Sequence, residues 1–208
     1  CVSRGPPGDP IYKAFIQAGR QAGYPVTRDF NGYQQEGVGP YHLTIRDGER
    51  CSAALSYLAP VADARPNLKV ISNAHAGRVL IEKKTAVGVE FSAGPGKPVQ
   101  RVFAKREVLL SGGAFQSPQL LLLSGIGPAD ELKKLGIDVM HDAPEVGRNL
   151  QDHLDVCVIY EMTKPISMYS KTKGLKQPMI GLQYLFMKQG AGRTNHLHAG
   201  AFLKTRGE

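Results

Sequence analysis

Four short stretches of this 208-residue sequence hold residue types at spacings that could do chemistry. The first is GGAFQSPQLLLLSGIG, residues 112 to 127, where a glycine pair precedes a Ser-Pro step and an apolar run. Glycines let a backbone turn with φ > 0 and approach a ligand closely. A strand that feeds a helix N-terminus across them is where α/β proteins hold anionic groups. The second is Asp155 in LDVCVIY, residues 154 to 160, where alternation puts a carboxylate on a strand face shared with Cys157 and Ile159. Turned inward, it could bind an ammonium group by charge in a partly dry pocket. The third is His196 with His198, two apart and so on one strand face, a spacing that can chelate a metal although no third ligand is evident. The fourth is Asp152 beside His153, an acid–base pair by type. No G-x-S-x-G makes a nucleophile of Ser52, Ser111, Ser117 or Ser124. The nearest approach to G-x-G-x-x-G, AGPGKP at 93 to 98, lacks the third glycine and a helix after it, and reads as a hairpin turn.

The elements that must position these residues follow from periodicity and punctuation. REVLL at 106 to 110 reads as a buried strand, Gly112 and Gly113 as the turn, Ser117 as a helix N-cap with Pro118 at the first helical position, and Gly125 as the left-handed close. Upstream, LKVIS, RVLIE, AVGVEF and VQRVFA read as strands of a small meander between Leu68 and Leu110. Asp9 and Pro10 open a helix whose Ile11, Phe15, Ala18 and Ala22 recur at helical spacing as far as Gly23. Residues 25 to 50 read as a long ordered loop, and Ser52 to Ala59 as a short helix stopped by Pro60. Pro128 to Leu135 is a helix closed by Gly136, and residues 145 to 153 are a polar loop. Leu154 to Tyr160 is a strand, 177 to 188 a helix, and Asn195 to Leu203 a strand.

Composition narrows the function classes. With 42% hydrophobic and 21% charged residues the chain is an ordinary globular one. Its net charge is +8, but Lys and Arg are scattered with no run longer than a pair, which argues against a nucleic-acid footprint. Gln116, Ser117, Pro118, Gln119 and Ser124 interrupt the leucine run, so it is not a membrane span. Cys1, Cys51 and Cys157 have neither disulfide-framework nor zinc spacing and suit a reducing compartment. A start at Cys1 and an end in KTRGE suggest a piece of a longer protein.

Several stretches in one order resemble the glucose-methanol-choline (GMC) family of FAD-dependent oxidoreductases, closest to its choline dehydrogenase and alcohol dehydrogenase branch. They are AGYPVTRDFNGYQQEGVGP (22–40), NAHAGRVLIEKKTAVGVEF (73–91), REVLLSGGA (106–114), GGAFQSPQLLLLSGIG (112–127), APEVGRNLQDH (143–153) and GAGRTNHLHAGAF (190–202). The resemblance implies oxidation of a primary alcohol, choline or a choline-like or aliphatic one, to the aldehyde with FAD as cofactor. A quinone or other electron acceptor would follow, in a cytoplasmic setting with peripheral inner-membrane attachment left open. It implies an α+β fold: a FAD-binding part with a small β-meander, and part of an antiparallel-sheet substrate domain. Residues 1–50 would be a substrate-domain part with a cofactor-covering loop, 51–150 the FAD-binding part, and 151–208 a second substrate-domain part. By the same resemblance Ala76 lies by the adenine through its backbone, and Ser111, Gly112, Gly113 and Ala114 lie against the ADP half. Asn149, with Asp152 and His153, belongs to a loop-fixing network near the flavin. Asp155 stands where choline-oxidising members carry a Glu, and its shorter side chain favours an uncharged alcohol or a different amine. The family's glycine motif would precede this stretch and its catalytic histidine would follow it, so no catalytic residue and no metal ligand is assigned here. A non-catalytic binding module that kept the scaffold is the alternative.

Overall fold

The computed structural model describes residues 2–4, 10–204 and 206, without the Lys171 side chain. The Asp9 helix cap therefore lies outside the described residues. The chain divides into two units, Cys1–Leu68 with Val158–Glu208, and Lys69–Cys157.

The first unit begins with a short strand, Ser3–Arg4 (β1), and a helix, Pro10–Gln21 (α1), which ends as expected at a left-handed Gly23 (φ 90°). The region read as a long loop holds four short strands instead: Gly37–Pro40 (β2), His42–Leu43 (β3), Ile45–Arg46 (β4) and Glu49–Arg50 (β5). β4 and β5 form a hairpin whose two turn residues, Asp47 and Gly48, both have positive φ (53° and 79°). Asp-Gly is the signal for such a turn, so this hairpin was legible in the sequence. A π-helical turn, Ala54–Leu58, runs directly into Ala59–Ala62 (α2), so Pro60 does not stop the helix. Pro60 stands in the first turn of α2, where its fixed φ suits the helix.

The second unit is built on the meander. His75–Glu82 (β6), Thr85–Ser92 (β7) and Val99–Phe103 (β8) pair antiparallel in that order, and the stretch from 93 to 98 is the expected turn between the last two. On the central strand, Glu90 takes Arg78 from β6 at 3.2 Å and Arg101 from β8 at 3.1 Å. One carboxylate thus ties all three strands. LKVIS, in contrast, forms no strand, and neither does REVLL. An apolar, β-prone run becomes a strand only when a neighbour supplies ladder hydrogen bonds, and no described strand pairs with either one.

After REVLL comes a helix, Gly113–Leu123 (α3), then Ile126–Gly127 (β9), the expected helix Ala129–Lys134 (α4), and His141–Asp142 (β10), which pairs parallel with β9. Gly136 is left-handed (φ 70°) as the close of α4 requires. The α3 C-terminus is stitched to the meander through buried Ser124, whose hydroxyl accepts the Val79 N–H at 2.8 Å and donates to the Leu120 carbonyl at 2.5 Å. Val79 and Leu132 are the buried apolar side chains described in this unit.

The chain returns to the first unit through Met168–Thr172 (α5) and Lys176–Met187 (α6), closed by a left-handed Lys188. A 3₁₀ turn at Ala191–Arg193 then leads to Ala199–Phe202 (β11), which pairs antiparallel with β2. The expected strand from Asn195 shrinks to these four residues, because His196 is left-handed (φ 61°) and leaves the extended path. Phe30 packs its ring against Tyr41 and Phe202 at 5.2 and 5.1 Å, and with Val38 and Leu43 it forms the buried apolar core of this unit.

Candidate functional site

The glycine pair opens α3, but not where the Ser-Pro signature put its start. Gly112 is the N-cap and Gly113 the first helical residue, with φ of 88°, so the helix begins four residues before Ser117. Ser117 caps nonetheless, from inside: its hydroxyl accepts the Gly112 N–H at 2.9 Å. Pro118 sits within the helix and removes the bond that would have reached the Ala114 carbonyl. A helix leaves its first amides without intrahelical acceptors. Ser117 takes that of Gly112, which leaves those of Gly113, Ala114 and Phe115 on an exposed turn. The helix dipole adds partial positive charge there, so the arrangement suits a phosphate-bearing group. An added Cβ at Gly113 would meet only the Gln116 Oε1, at 3.8 Å, so the space beside this turn is open.

The other residues singled out in this unit are also exposed. Ala76 lies in β6 opposite Phe91, next to an irregularity in register between Ala76 and Arg78. Asn149 is left-handed (φ 56°), and its amide donates to Glu145 Oε2 at 2.7 Å. Glu145, four residues earlier in the same loop, is the partner that sequence reasoning missed. Asp152 accepts the backbone N–H of His153 at 2.7 Å. The structure therefore holds Asn149 and Asp152 by separate local bonds and does not join them in one network. Asp155 lies in a stretch, 151–162, that carries no strand; Leu154, Val156 and Ile159 around it are 96%, 75% and 89% exposed. The strand expected there is corrected for the same reason as REVLL: alternation marks a segment able to pair, and no described strand offers an edge to it.

In the first unit the rings of His196 and His198 lie 6.1 Å apart, and Thr194 Oγ1 hydrogen-bonds to His198 Nε2. The Tyr12 ring packs on His198 at 4.8 Å and its hydroxyl donates to the His196 carbonyl. Among the described residues no three His, Cys, Asp or Glu side chains gather as metal ligands.

Comparison with known proteins places this geometry. The sequence model described as GMC oxidoreductase matches residues 2–155. The chain belongs to the GMC oxidoreductase family. It is 49% identical over 205 residues to human mitochondrial choline dehydrogenase, covering 99% of this chain and 34% of that protein. Against the oxygen-dependent choline dehydrogenase of Brucella anthropi it is 46% identical over 205 residues, covering 99% and 37%. The chain thus spans about a third of the length of the curated relatives it matches. Among solved structures it is similar to formate oxidase of Aspergillus oryzae, with a TM-score of 0.82 at 26% identity over 98% of this chain and 35% of that one. It is also similar to pyridoxine 4-oxidase of Mesorbium loti, with a TM-score of 0.67 at 37% identity over 73% and 30%. The mixed helix-and-strand architecture is that of GMC flavoproteins.

Proposed function

We propose that these residues work within an FAD-dependent enzyme that oxidises a primary alcohol, choline or a choline-like or aliphatic one, to the aldehyde. The observation that carries this reading is the 46–49% identity to choline dehydrogenases along 99% of the chain. The residues present suit the cofactor: an open glycine turn, three exposed helix amides and a dipole directed at the same place. FAD would supply the hydride acceptor for the alcohol carbon. Ser111, Gly112, Gly113 and Ala114 would hold its ADP half through backbone N–H groups, and the Ala76 backbone would lie by the adenine. Asn149, steadied by Glu145, would stand near the flavin. Asp155 would bind the polar or cationic end of the alcohol, and residues 1–50 and 151–208 would contribute to the substrate domain, with 51–150 the FAD-binding part. A quinone or another acceptor would take the electrons onward. Among the described residues no helix is long and apolar enough to cross a membrane. A cytoplasmic setting with peripheral membrane attachment belongs to the same proposal.

The test uses the intact protein that carries this chain. Its bound flavin is measured by absorbance, and choline and aliphatic primary alcohols are assayed with a quinone acceptor. Flavin content with turnover of at least one of these alcohols is expected; a protein without flavin sinks the reading. Asp155→Ala should raise the substrate KM by about tenfold, the loss of one charge-assisted contact, while FAD content holds. A change in FAD content alone would remove Asp155 from the substrate site.

A further inference from the structure

A second cleft, in the first unit, has chemistry of its own. It occupies about 430 Å³ and is lined by Thr44, Arg50, Tyr184, Arg193 and Asn195 among others. Two glycines build it. A Cβ at Gly48 would fall 2.6 Å from the Lys188 carbonyl oxygen and 3.4 Å from Arg193 Cβ, and one at Gly192 would fall 2.9 Å from Tyr184 Cβ. Only the missing side chains let the β4–β5 hairpin and the 3₁₀ turn after α6 close around one opening. Two arginines line that opening, Arg50 from the hairpin and Arg193 from the turn.

Among the described residues no carboxylate lines the cleft. The acid nearest in sequence, Glu49, is engaged elsewhere: Lys188 Nζ holds it at 2.9 Å and sits 4.8 Å over the Tyr184 ring. Arg50 and Arg193 make no ion pair among the described residues, and between Glu161 and Glu208 the sequence has no acidic residue at all. Two unpaired guanidiniums beside hydroxyl and amide groups form a donor set with no acceptor charge, and planar guanidinium forks match oxyanions. We propose that this cleft is an oxyanion site, taking the phosphate or carboxylate group of a small molecule.

Calorimetric titration of the intact protein that carries this chain with inorganic phosphate, and separately with acetate, tests this at low ionic strength. Saturable phosphate binding is expected, weakened about tenfold or more in Arg50→Gln/Arg193→Gln, which removes the charge-assisted bonds. Far-UV circular dichroism checks that the double variant keeps its fold, and Arg50→Lys/Arg193→Lys should retain part of the binding. Lys173→Gln removes one charge from the same unit outside the cleft and should leave binding unchanged. Phosphate preference points to a phosphorylated small molecule, and equal acetate affinity points to a carboxylate. No saturable binding of either anion overturns the proposal, as does an equal loss in Lys173→Gln.

Discussion

The two ends of α3 carry the same residue at a similar positive φ for different reasons. Gly113 (φ 88°) opens the helix and Gly125 (φ 81°) follows its last turn. At Gly125 an added Cβ would lie 2.2 Å from the Asp138 carbonyl oxygen and 2.9 Å from Met140 Cγ, so the protein itself fills that space. At Gly113 the nearest atom is 3.8 Å away. The fold accounts fully for Gly125, but for Gly113 it accounts only for the φ angle. The open side of Gly113 is room the protein does not use, and it lies beside helix amides with no intrahelical acceptor. A glycine that packing does not require is the one that points toward a ligand.

Substitutions can break this contrast. The largest effect is expected from Gly125→Ala, which combines a disfavoured φ with a backbone clash and should destabilise the second unit by about 3 kcal/mol or more in urea unfolding. A loss below about 1 kcal/mol would mean the C-terminal end of α3 is not the rigid one. Next comes Ser124→Ala, which leaves the Val79 N–H without its acceptor and should cost about 2 kcal/mol. Gly113→Ala should cost only the left-handed strain, about 1 kcal/mol. In the intact protein it should nonetheless weaken FAD binding by about tenfold, since a methyl group would intrude where the backbone approaches the cofactor. Unchanged FAD affinity in that variant would end the contrast between the two ends.

The smallest effect concerns pH. The hydrogen bond from Arg78 is the largest influence on the Glu90 carboxyl; burial opposes it, but the hydrogen bond from Arg101 and the charges of both guanidinium groups join Arg78 and hold the carboxyl below its ordinary range. Its folded pKa is thus lower than its unfolded one, so its contribution is present above the ordinary glutamate value near ~4.3 and is lost as pH falls through the folded value. Acid unfolding of the wild type should therefore be steeper below about pH 4 than that of Glu90→Gln. Identical acid profiles would show that the Arg78–Glu90–Arg101 tie contributes nothing measurable.

Much of the fold was legible wherever the signal is local. The meander strands between 75 and 103, the helices α1, α4 and α6, and the glycines that close α1, α3 and α4 all follow from period and punctuation. The start of α3 misled because Ser117-Pro118 has the composition of a cap, while Gly112 supplies a turn and borrows the Ser117 hydroxyl from within the helix. Of the candidate site, the glycine turn was readable from Gly112 and Gly113. The Glu145 bond that steadies Asn149 was not, because nothing in the residue types distinguishes a paired loop glutamate from a solvated one.

The sequence by itself determined the family, the glycine turn before an apolar helix, and the residues available to a flavin. Those properties reside in residue identity and short-range spacing, which hold whatever the chain packs against. Tertiary structure decided which β-prone runs became strands: RVLIE found partners, whereas REVLL and LDVCVIY found none among the described residues. It also decided which glycine was filled by neighbours and which stayed open, and it gathered Arg50 and Arg193, distant in the chain, around one cleft. Strand pairing, close approach and charge clustering each depend on partners remote in sequence, so only the folded chain could assign them.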